Sequence, residues 1–371
     1  MTNDKLKAFG DTIQRLINGE NLSRDEAYAC FMQVLRNEQP DLQQGAFLAA
    51  LTSKGETAPE IAGAWQAIQE ADTVTATVSV SGPLVENSGT GMDRLKTFNA
   101  SSAAAIVAAA CGVNLARHGA RALTSFCGTV DILESVGIDV ECDVSLVEQS
   151  IASTGLGLFN GMSPKVHPAA LGRILSQIRF GSTLNISASL ANPARPKLAV
   201  RGVYAPDRIA LVAEVMRETG YEAAMVVCGQ DAISGWFMDE LSVCGETHII
   251  EFNDKSGMLT RILMPEETGI ALYPFSEIAA TGSLALERRR FLRTLSGQGH
   301  EACTDFTCLN AGAVLYVAGK AASLREGVVQ CRETITKGLA VRKLEEWVAA
   351  QNTNPATGLA RFRGAMNDAD L

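Results

Sequence analysis

The sequence predicts an α/β protein that begins with a small all-helical unit. Residues 5–72 carry helical apolar spacing and two helix-capping signals, with no strand between them. After residue 75, β-like and helical segments alternate along the chain. The 371 residues, 47% of them hydrophobic and 20% charged, are sufficient for two domains with buried cores.

The N-terminal helices are predicted from paired capping residues. Ser23 with Glu26, and Thr57 with Glu60, each form a capping box, in which side chains and backbone N–H groups at a helix start satisfy each other. Apolar residues then recur at helical spacing, as in LSRDEAYACFMQVLRN at residues 22–37.

The β-branched run TVTATVSV, residues 73–80, predicts a strand and a domain boundary near residue 75. Helical residues return at 164–200, so the chain is expected to leave the α/β domain and come back to it. The other predicted elements are, in order, a helix at 101–111, a short helix closed by Gly137, a helix at 203–220 and a buried strand at 221–229.

Composition excludes several classes of protein. A net charge of −9 and a pI near 5.1 argue against a nucleic-acid partner. The N-terminus lacks the apolar core of a signal peptide, and no unbroken apolar run approaches a membrane span. Nine cysteines without a CxxC pair and four widely separated histidines predict a reducing, cytoplasmic location and support no zinc site.

A glycine loop precedes an alanine-rich helix in NSGTGMDRLKTFNASSAAAIVAAACG, residues 87–112. Glycines let backbone approach a ligand closely, and Asn99, Ser101 and Ser102 stand where the helix starts, a position whose free amides bind phosphate. The alternatives are an ordinary tight turn and a plain N-cap.

Two further stretches complete a candidate anion site. ARHGARALTSFCGTVDILESVG, residues 116–137, places His118 among arginines, glycines and hydroxyls and predicts a second wall, although a lone histidine is more often structural. Asp239 and Glu240 are adjacent carboxylates, which form either a solvated turn or, facing a pyrophosphate, a magnesium site.

These motifs resemble, in order and approximate spacing, those of the anthranilate phosphoribosyltransferases. The family carries GTGGD, TFNIST, KHGNR, SSxxGSADxLExLG, HPA, NxxGPLxNP and a DE pair. This chain has GTGMD (89–93), TFNASS (97–102), RHGAR (117–121), TSFCGTVDILESVG (124–137), HPA (167–169), NISASLANP (185–193) and Asp239-Glu240. Its N-terminal helices and residues 309–328 extend the resemblance to about residues 10–350.

The resemblance implies a small α-helical domain, residues 1–74 plus about 165–195, and a large α/β domain, residues 75–164 plus about 196–371. It further implies a mostly parallel central sheet, an active site at the hinge and a homodimer. The implied reaction moves phosphoribose from 5-phosphoribosyl-1-pyrophosphate (PRPP) to an acceptor nitrogen with Mg²⁺.

Site residues follow from the same resemblance, position by position. The implied PRPP contacts are Gly89, Thr90, Gly91, Asp93, Asn99, Ser101, Arg117, Ser125 and Gly128. The implied metal positions are Ser101, Asp239 and Glu240. The implied acceptor positions are His118, Ala120, Arg179, Ala188 and Ser189.

Departures from the family concentrate in these loops. Met92 replaces a glycine of the donor loop, Ala120 replaces an asparagine, and Ala188-Ser189 replace Gly-Pro. Because residues 177–185 are shorter than in the family, either Arg179 or Arg173 is the candidate for the acceptor-binding arginine. Trp236 and Phe237 lie beside the acidic pair, either as core residues or as part of a changed site.

These changes favour an aromatic or heterocyclic amine other than anthranilate as acceptor, with anthranilate itself still a candidate. Two alternatives stay open. A catalytically silent binding or regulatory protein would explain Met92 and the changed acceptor residues. A nucleoside phosphorylase shares the implied architecture, although the lysine-serine phosphate signature of that group is not found in the sequence.

Overall fold

The structure is a computed structural model that describes residues 3–91, 93–121, 127–253 and 256–371. Four helices precede the first strand: α1 (Asn3–Ile17), α2 (Arg24–Leu35), α3 (Asp41–Lys54) and α4 (Ala58–Ala71). Both predicted capping boxes are present. The backbone N–H groups of Ser23 and Thr57 each donate 2.8 Å hydrogen bonds to the glutamate three residues further on, which defines where α2 and α4 begin.

Strands and helices alternate after α4. The strands are β1 (Leu84–Gly89), β2 (Asn114–Gly119), β3 (Leu156–Asn160), β4 (Leu198–Gly202), β5 (Ala223–Gln230), β6 (Phe237–Met238), β7 (Thr247–Asn253) and β8 (Ser256–Leu263). The helices between them are α5 (Ala100–Ala110), α6 (Thr129–Ser135), α7 (Val144–Thr154), α8 (Leu171–Ile178), α9 (Thr183–Ser189) and α10 (Ile209–Glu218). The C-terminal helices are α11 (Leu284–Leu295), α12 (Glu301–Val317), α13 (Leu324–Thr336), α14 (Leu339–Ala350) and α15 (Pro355–Asp368).

The strands of the described chain form one sheet in the order β3-β2-β1-β4-β5-β7-β8, with β6 paired to β5. Strands β1 to β5 are parallel, and β6, β7 and β8 add antiparallel pairs. The predicted fold class, a small helical domain with a larger α/β domain and a mostly parallel sheet, is confirmed. The carboxyl ends of β1, β2 and β4 therefore lie at one edge, where open α/β sheets bind ligands.

The predicted strand at 73–80 is wrong, although the segment is extended. Its backbone N–H groups bind three different partners: Val74 donates to the Val166 carbonyl, Ala76 to the Pro193 carbonyl and Thr77 to a carboxylate. A strand requires successive bonds to one neighbour, and here no single neighbour runs alongside. The segment is instead an extended connection between the helical bundle and the sheet.

Buried apolar side chains form separate clusters. One unites α1 to α4 with side chains of α8 and α9, including Leu171 and Leu184. Two others cover opposite faces of the sheet, one beneath α5, α12 and α14 and one beneath α10. This grouping agrees with the predicted domain division, whose boundaries stay a prediction. No helix in the described ranges is long and apolar enough to cross a membrane, and all nine cysteines are free.

Candidate active site

The glycine loop after β1 packs directly against Asp239. The Gly91 N–H donates to Asp239 Oδ2 at 2.7 Å, and Gly91 has a φ of 65°, which favours glycine. A Cβ at Gly89 would lie 2.0 Å from that same oxygen, and one at Gly202 would lie 1.6 Å from the Asp239 backbone carbonyl. Glycines on β1 and β4 therefore make the space that the acidic segment occupies.

Glu240, the second residue of the acidic pair, is buried with little compensation. Glu240 is 8% exposed; its Oε1 accepts a long bond of 3.4 Å from Thr97, and its Oε2 has no partner among the described residues. Burial, with the charges of Asp239 and Asp93, raises the pKa of Glu240 well above its usual value. Burial and the Asp239 charge also raise the pKa of Asp93 to about 7, although Asp93 pairs with Lys96 at 3.2 Å.

The donor set suits a hard cation shared with a substrate. Ser101, Asp239 and Glu240 line one small pocket at the carboxyl edge of the sheet. Across the described ranges, no three His, Cys, Asp or Glu side chains are arranged to hold a metal by themselves. Mg²⁺ is usually bound by one or two carboxylates together with phosphate and water oxygens. The unpartnered Glu240 oxygen thus fits a magnesium ion that arrives with a phosphorylated ligand.

The start of α5 faces this pocket without a side-chain cap. Asn99 occupies the N-cap position but makes no capping bond; its Nδ2 instead donates to Cys127 Sγ at 3.4 Å. The Ser101 carbonyl accepts a 2.7 Å bond from Asn87. An uncapped helix start presents N–H groups that stabilise anions.

Arg117, which is predicted to contact PRPP, has its side chain buried against the sheet. Its guanidinium donates to Asn87 Oδ1 at 3.1 Å and to Ser102 Oγ at 2.8 Å, and burial lowers the pKa of Arg117 to about 10. Arg117 therefore contacts the first turn of α5 through the Ser102 hydroxyl, and a direct contact with PRPP stays a prediction.

The other residues that are predicted to contact PRPP have the following positions. The Thr90 N–H donates to the Gly202 carbonyl at 3.0 Å, and Gly128 is the N-cap of α6, with its N–H donating to Asp131 at 2.9 Å. Ser125 and Met92 lie outside the described residues.

Two of the four histidines meet at the boundary between the sheet and the bundle. The Nε2 atoms of His118 and His167 are 3.2 Å apart, and His167 Nδ1 lies 2.7 Å from the Asp72 carbonyl oxygen. Burial, followed by the neighbouring His167, lowers the pKa of His118 to about 3. His118 is therefore neutral at pH 7. Their separation of 49 residues in sequence gave no local signal for this pair.

We expect His118→Gln to weaken the dependence of stability on acidic pH. The folded-state pKa of His118 is about 3, whereas an unfolded histidine titrates near 6.5. The unfolded chain therefore binds the extra proton, so stability present above pH 6.5 is lost as the pH falls toward 3. Between pH 6.5 and 4.5 the parent should lose about 2 kcal/mol more than the variant. Urea unfolding at both pH values measures this, and equal losses would contradict it.

The predicted acceptor residues lie in two places. Ala188 and Ser189 are both on α9. The backbone of Ser189 hydrogen-bonds to His118, whereas Ala188 packs against the apolar cluster of the helical bundle. Ala120 follows β2, next to His118. Arg179 ends α8 in an exposed left-handed conformation, with its Nε donating to the Ser176 carbonyl at 3.2 Å. Neither the position of Arg179 nor its hydrogen bond brings it toward the other predicted acceptor residues.

Arg173, the other candidate arginine, ties the helical bundle together. It donates to Gln44 Oε1 at 3.1 Å and to the Val34 carbonyl at 2.8 Å. Both partners belong to the bundle, so this guanidinium is already occupied by contacts that join α8 to α2 and α3.

Sequence reasoning missed a buried polar cluster on the sheet face that meets α9. Glu86 accepts from Tyr221 at 2.8 Å and from Asn192 at 3.2 Å; burial raises the pKa of Glu86. Arg201 on β4 donates to Ser88 Oγ at 2.5 Å. The available signal was a charged residue inside each of the short strands LVENSG and LAVRG, since buried strands rarely carry charge.

Trp236 packs against Arg94, which directly follows the glycine loop, and not in the core. It is 43% exposed, and the guanidinium carbon of Arg94 lies 3.9 Å from its ring centroid. Phe237 instead packs against the apolar cluster beneath α10. The core interpretation is therefore wrong for Trp236 and correct for Phe237.

The fold and the pocket define a class of two-domain protein in which a helical bundle meets an α/β domain beside an acidic pair. The chain belongs to the glycosyl transferase family. The family's a/b domain matches residues 81–341, and its helical bundle domain matches residues 10–71.

The chain is 34% identical over 347 residues to the anthranilate phosphoribosyltransferase of Methanothermobacter thermautotrophicus, covering 92% of this chain and 97% of that one. The crystal structure of the Thermus thermophilus anthranilate phosphoribosyltransferase has a TM-score of 0.82 at 33% identity, covering 92% and 99%.

The Saccharomyces cerevisiae enzyme in complex with PRPP and Mg shares the fold, with a TM-score of 0.79 at 23% identity, covering 94% and 98%. The predicted family and enzyme class, a transferase of the anthranilate phosphoribosyltransferase type, are confirmed. The homodimer and the cytoplasmic location stay predictions.

Proposed function

We propose that this protein transfers phosphoribose from PRPP to the nitrogen of an aromatic or heterocyclic amine, with Mg²⁺. The observation that carries the proposal is the contact of the Asp239-Glu240 pair with the glycine loop, through the Gly91 N–H at 2.7 Å. An acidic pair with so few compensating donors is unfavourable alone and becomes favourable when a cation and a polyphosphate bind together.

Each group then has a task in the transfer. The bond from C1 of ribose to pyrophosphate breaks, pyrophosphate keeps the electron pair, and the amine nitrogen bonds to C1 and releases its proton to solvent. Amides of the uncapped α5 start would stabilise the negative charge that develops on pyrophosphate. Bound through Asp239, Glu240 and Ser101, Mg²⁺ would supply further charge neutralisation there.

His118 and Ser189 are the groups best placed to line the acceptor side. Neutral at pH 7, His118 offers the acceptor a hydrogen-bonding ring without a competing charge. Ala120 removes the polar amide that the resembling family has at this position, and Ala188-Ser189 replace its Gly-Pro, which supports an acceptor other than anthranilate. The relatives named above are anthranilate phosphoribosyltransferases, so an amine of that general kind is the first choice.

Calorimetry with PRPP, with and without Mg²⁺, tests the proposal. We expect micromolar PRPP binding that depends on Mg²⁺, followed by pyrophosphate release that requires an added amine. Absence of PRPP binding would contradict the proposal, and phosphorolysis of nucleosides without PRPP would favour a phosphorylase. PRPP binding without transfer to any amine in a broad panel would favour a silent binding protein.

Trp236→Ala is expected to weaken PRPP binding about threefold, because an exposed cation–π contact contributes about 0.5–1 kcal/mol. Its loss frees Arg94 and with it the end of the glycine loop. Trp236→Phe, which keeps an aromatic face, should recover most of the affinity. Ile233→Ala, at a position 84% exposed in the same loop, is the control and should bind like the parent.

A further inference from the structure

Arg201 is a buried cation that forms no salt bridge with any carboxylate in the described part of the chain. It lies on β4 and is 1% exposed. Its Nη1 donates to Ser88 Oγ at 2.5 Å and, at 3.4 Å, to the Ser189 carbonyl, and its Nη2 donates to Ser189 Oγ. Its Nε has no partner among the described residues. Neutral oxygens compensate a buried guanidinium poorly, because its desolvation costs several kcal/mol.

The nearest acids do not supply the missing charge. Glu86 and Asp239 are close enough for Arg201 to lower their pKa values in part. Neither forms a salt bridge with it, and each has its own donors: Tyr221 and Asn192 for Glu86 and the Gly91 N–H for Asp239.

The strand register places the Arg201 side chain on the face of the sheet that meets α9, where the predicted acceptor residue Ser189 lies. Arg201 pairs with Ser88 across β1 and β4 at the carboxyl ends of these strands. Because side chains alternate along a strand, Arg201 points away from the face of Val200, which packs in the cluster beneath α5. It points toward α9, where Ser189 also meets His118. The guanidinium therefore lies where the helical bundle closes on the sheet.

We propose that Arg201 binds an anionic substituent of the acceptor, a carboxylate on the aromatic amine. The inference rests on the proposed function and narrows its substrate class. The Nε and Nη2 atoms form one edge of the guanidinium, and a carboxylate binds such an edge with two parallel hydrogen bonds. Among the described residues Nε has no partner and Nη2 is held only by the Ser189 hydroxyl, which a bound carboxylate would displace.

The test compares the parent with Arg201→Gln on matched amines. With saturating PRPP and Mg²⁺, kcat/KM is measured for 2-, 3- and 4-aminobenzoate and for aniline, which lacks the carboxylate. We expect Arg201→Gln to lower kcat/KM at least 30-fold for the aminobenzoate that the parent prefers and less than threefold for aniline. PRPP affinity, measured by calorimetry, should change less than twofold.

Three results would overturn the assignment: an equal loss for aniline, no loss for the aminobenzoates, or a large loss of PRPP affinity, which would make Arg201 a donor residue. A parent that binds no PRPP would defeat the proposed function itself. If the parent binds PRPP and Arg201→Gln leaves the aminobenzoates unaffected, only this inference fails.

Two additional variants separate binding from a merely structural role. Ser189→Ala removes the hydroxyl that competes for Nη2, so aminobenzoate binding should stay the same or become tighter. If the bond between Arg201 and Ser189 only held α9 against β4, Ser189→Ala should instead weaken aminobenzoate binding as Arg201→Gln does. Arg201→Lys keeps the charge without the two-bond edge and should recover part of the lost kcat/KM. The melting temperature of Arg201→Gln should not fall, since an uncompensated charge is removed, and a drop of several degrees would contradict the proposal.

Discussion

Glu240→Gln is expected to lower the rate of phosphoribosyl transfer at least 100-fold while leaving the protein as stable as the parent or more stable. The two effects have one cause. Glu240 is buried beside Asp239 and Asp93, and burial with these like charges raises its pKa. A neutral amide removes that repulsion from the free protein.

The same change removes a charge needed once the donor binds. The Oε2 atom of Glu240 has no partner among the described residues, which leaves it available to a cation. An amide holds Mg²⁺ more weakly than a carboxylate, and charge stabilisation of the leaving group contributes several kcal/mol to such a reaction. Steady-state kinetics over a range of Mg²⁺ concentrations, with urea unfolding in parallel, measures both effects.

Glu60→Gln is the matched control because Glu60 is also buried but fully paired. Its carboxylate binds Lys54 at 2.9 Å and the Leu22 N–H at 2.8 Å. Breaking a buried ion pair costs about 3 kcal/mol or more, so this variant should lose stability and keep its activity per folded molecule. If Glu240→Gln were also strongly destabilised, the unpaired state of Glu240 would be disproved.

Gly202→Ala should abolish activity and destabilise the protein by about 3 kcal/mol. The added Cβ would lie 1.6 Å from the backbone carbonyl oxygen of Asp239 and 2.5 Å from its carbonyl carbon. Backbone cannot rotate away as a side chain can, so the segment bearing Asp239 and Glu240 must move. We expect at least a 100-fold loss of kcat/KM together with a lower denaturation midpoint.

Alanine substitutions at two other glycines serve as comparisons for Gly202→Ala. A Cβ at Gly89 would meet the Asp239 carboxylate, 2.0 Å away, and that side chain has freedom to turn. Gly89→Ala should therefore reduce activity with a smaller loss of stability. Gly45 in α3 has nothing within 4 Å of an added Cβ, so Gly45→Ala should stabilise by up to about 1 kcal/mol through helix propensity. Parent-like behaviour of Gly202→Ala would contradict the close packing of β4 on the acidic segment.

Local signals in the sequence predicted much of the fold. The capping boxes at Ser23 and Thr57 involve residues three apart, so both partners are visible in one short stretch. The segment at 73–80 failed for the opposite reason. Its composition favours a strand, but whether a strand forms depends on a neighbour that composition does not reveal.

The candidate site was predicted in part because its motifs occur in the order of a known family. The bond from Gly91 to Asp239 spans 148 residues, and no local rule joins them. The pairing of His118 with His167 and the unpaired state of Arg201 were not predicted, since each depends on which strands lie side by side and which faces they present.

By itself, then, the sequence determined the helical unit, the α/β alternation, the glycine loop and the acidic pair, because periodicity, caps and short motifs act between residues close together in the chain. Only the tertiary structure decided that Trp236 lies beneath Arg94 and that, among the residues it describes, Glu240 keeps one oxygen unpaired and Arg201 forms no salt bridge. Compensation of a buried charge is a property of everything packed around it, and those neighbours come together only when the chain folds.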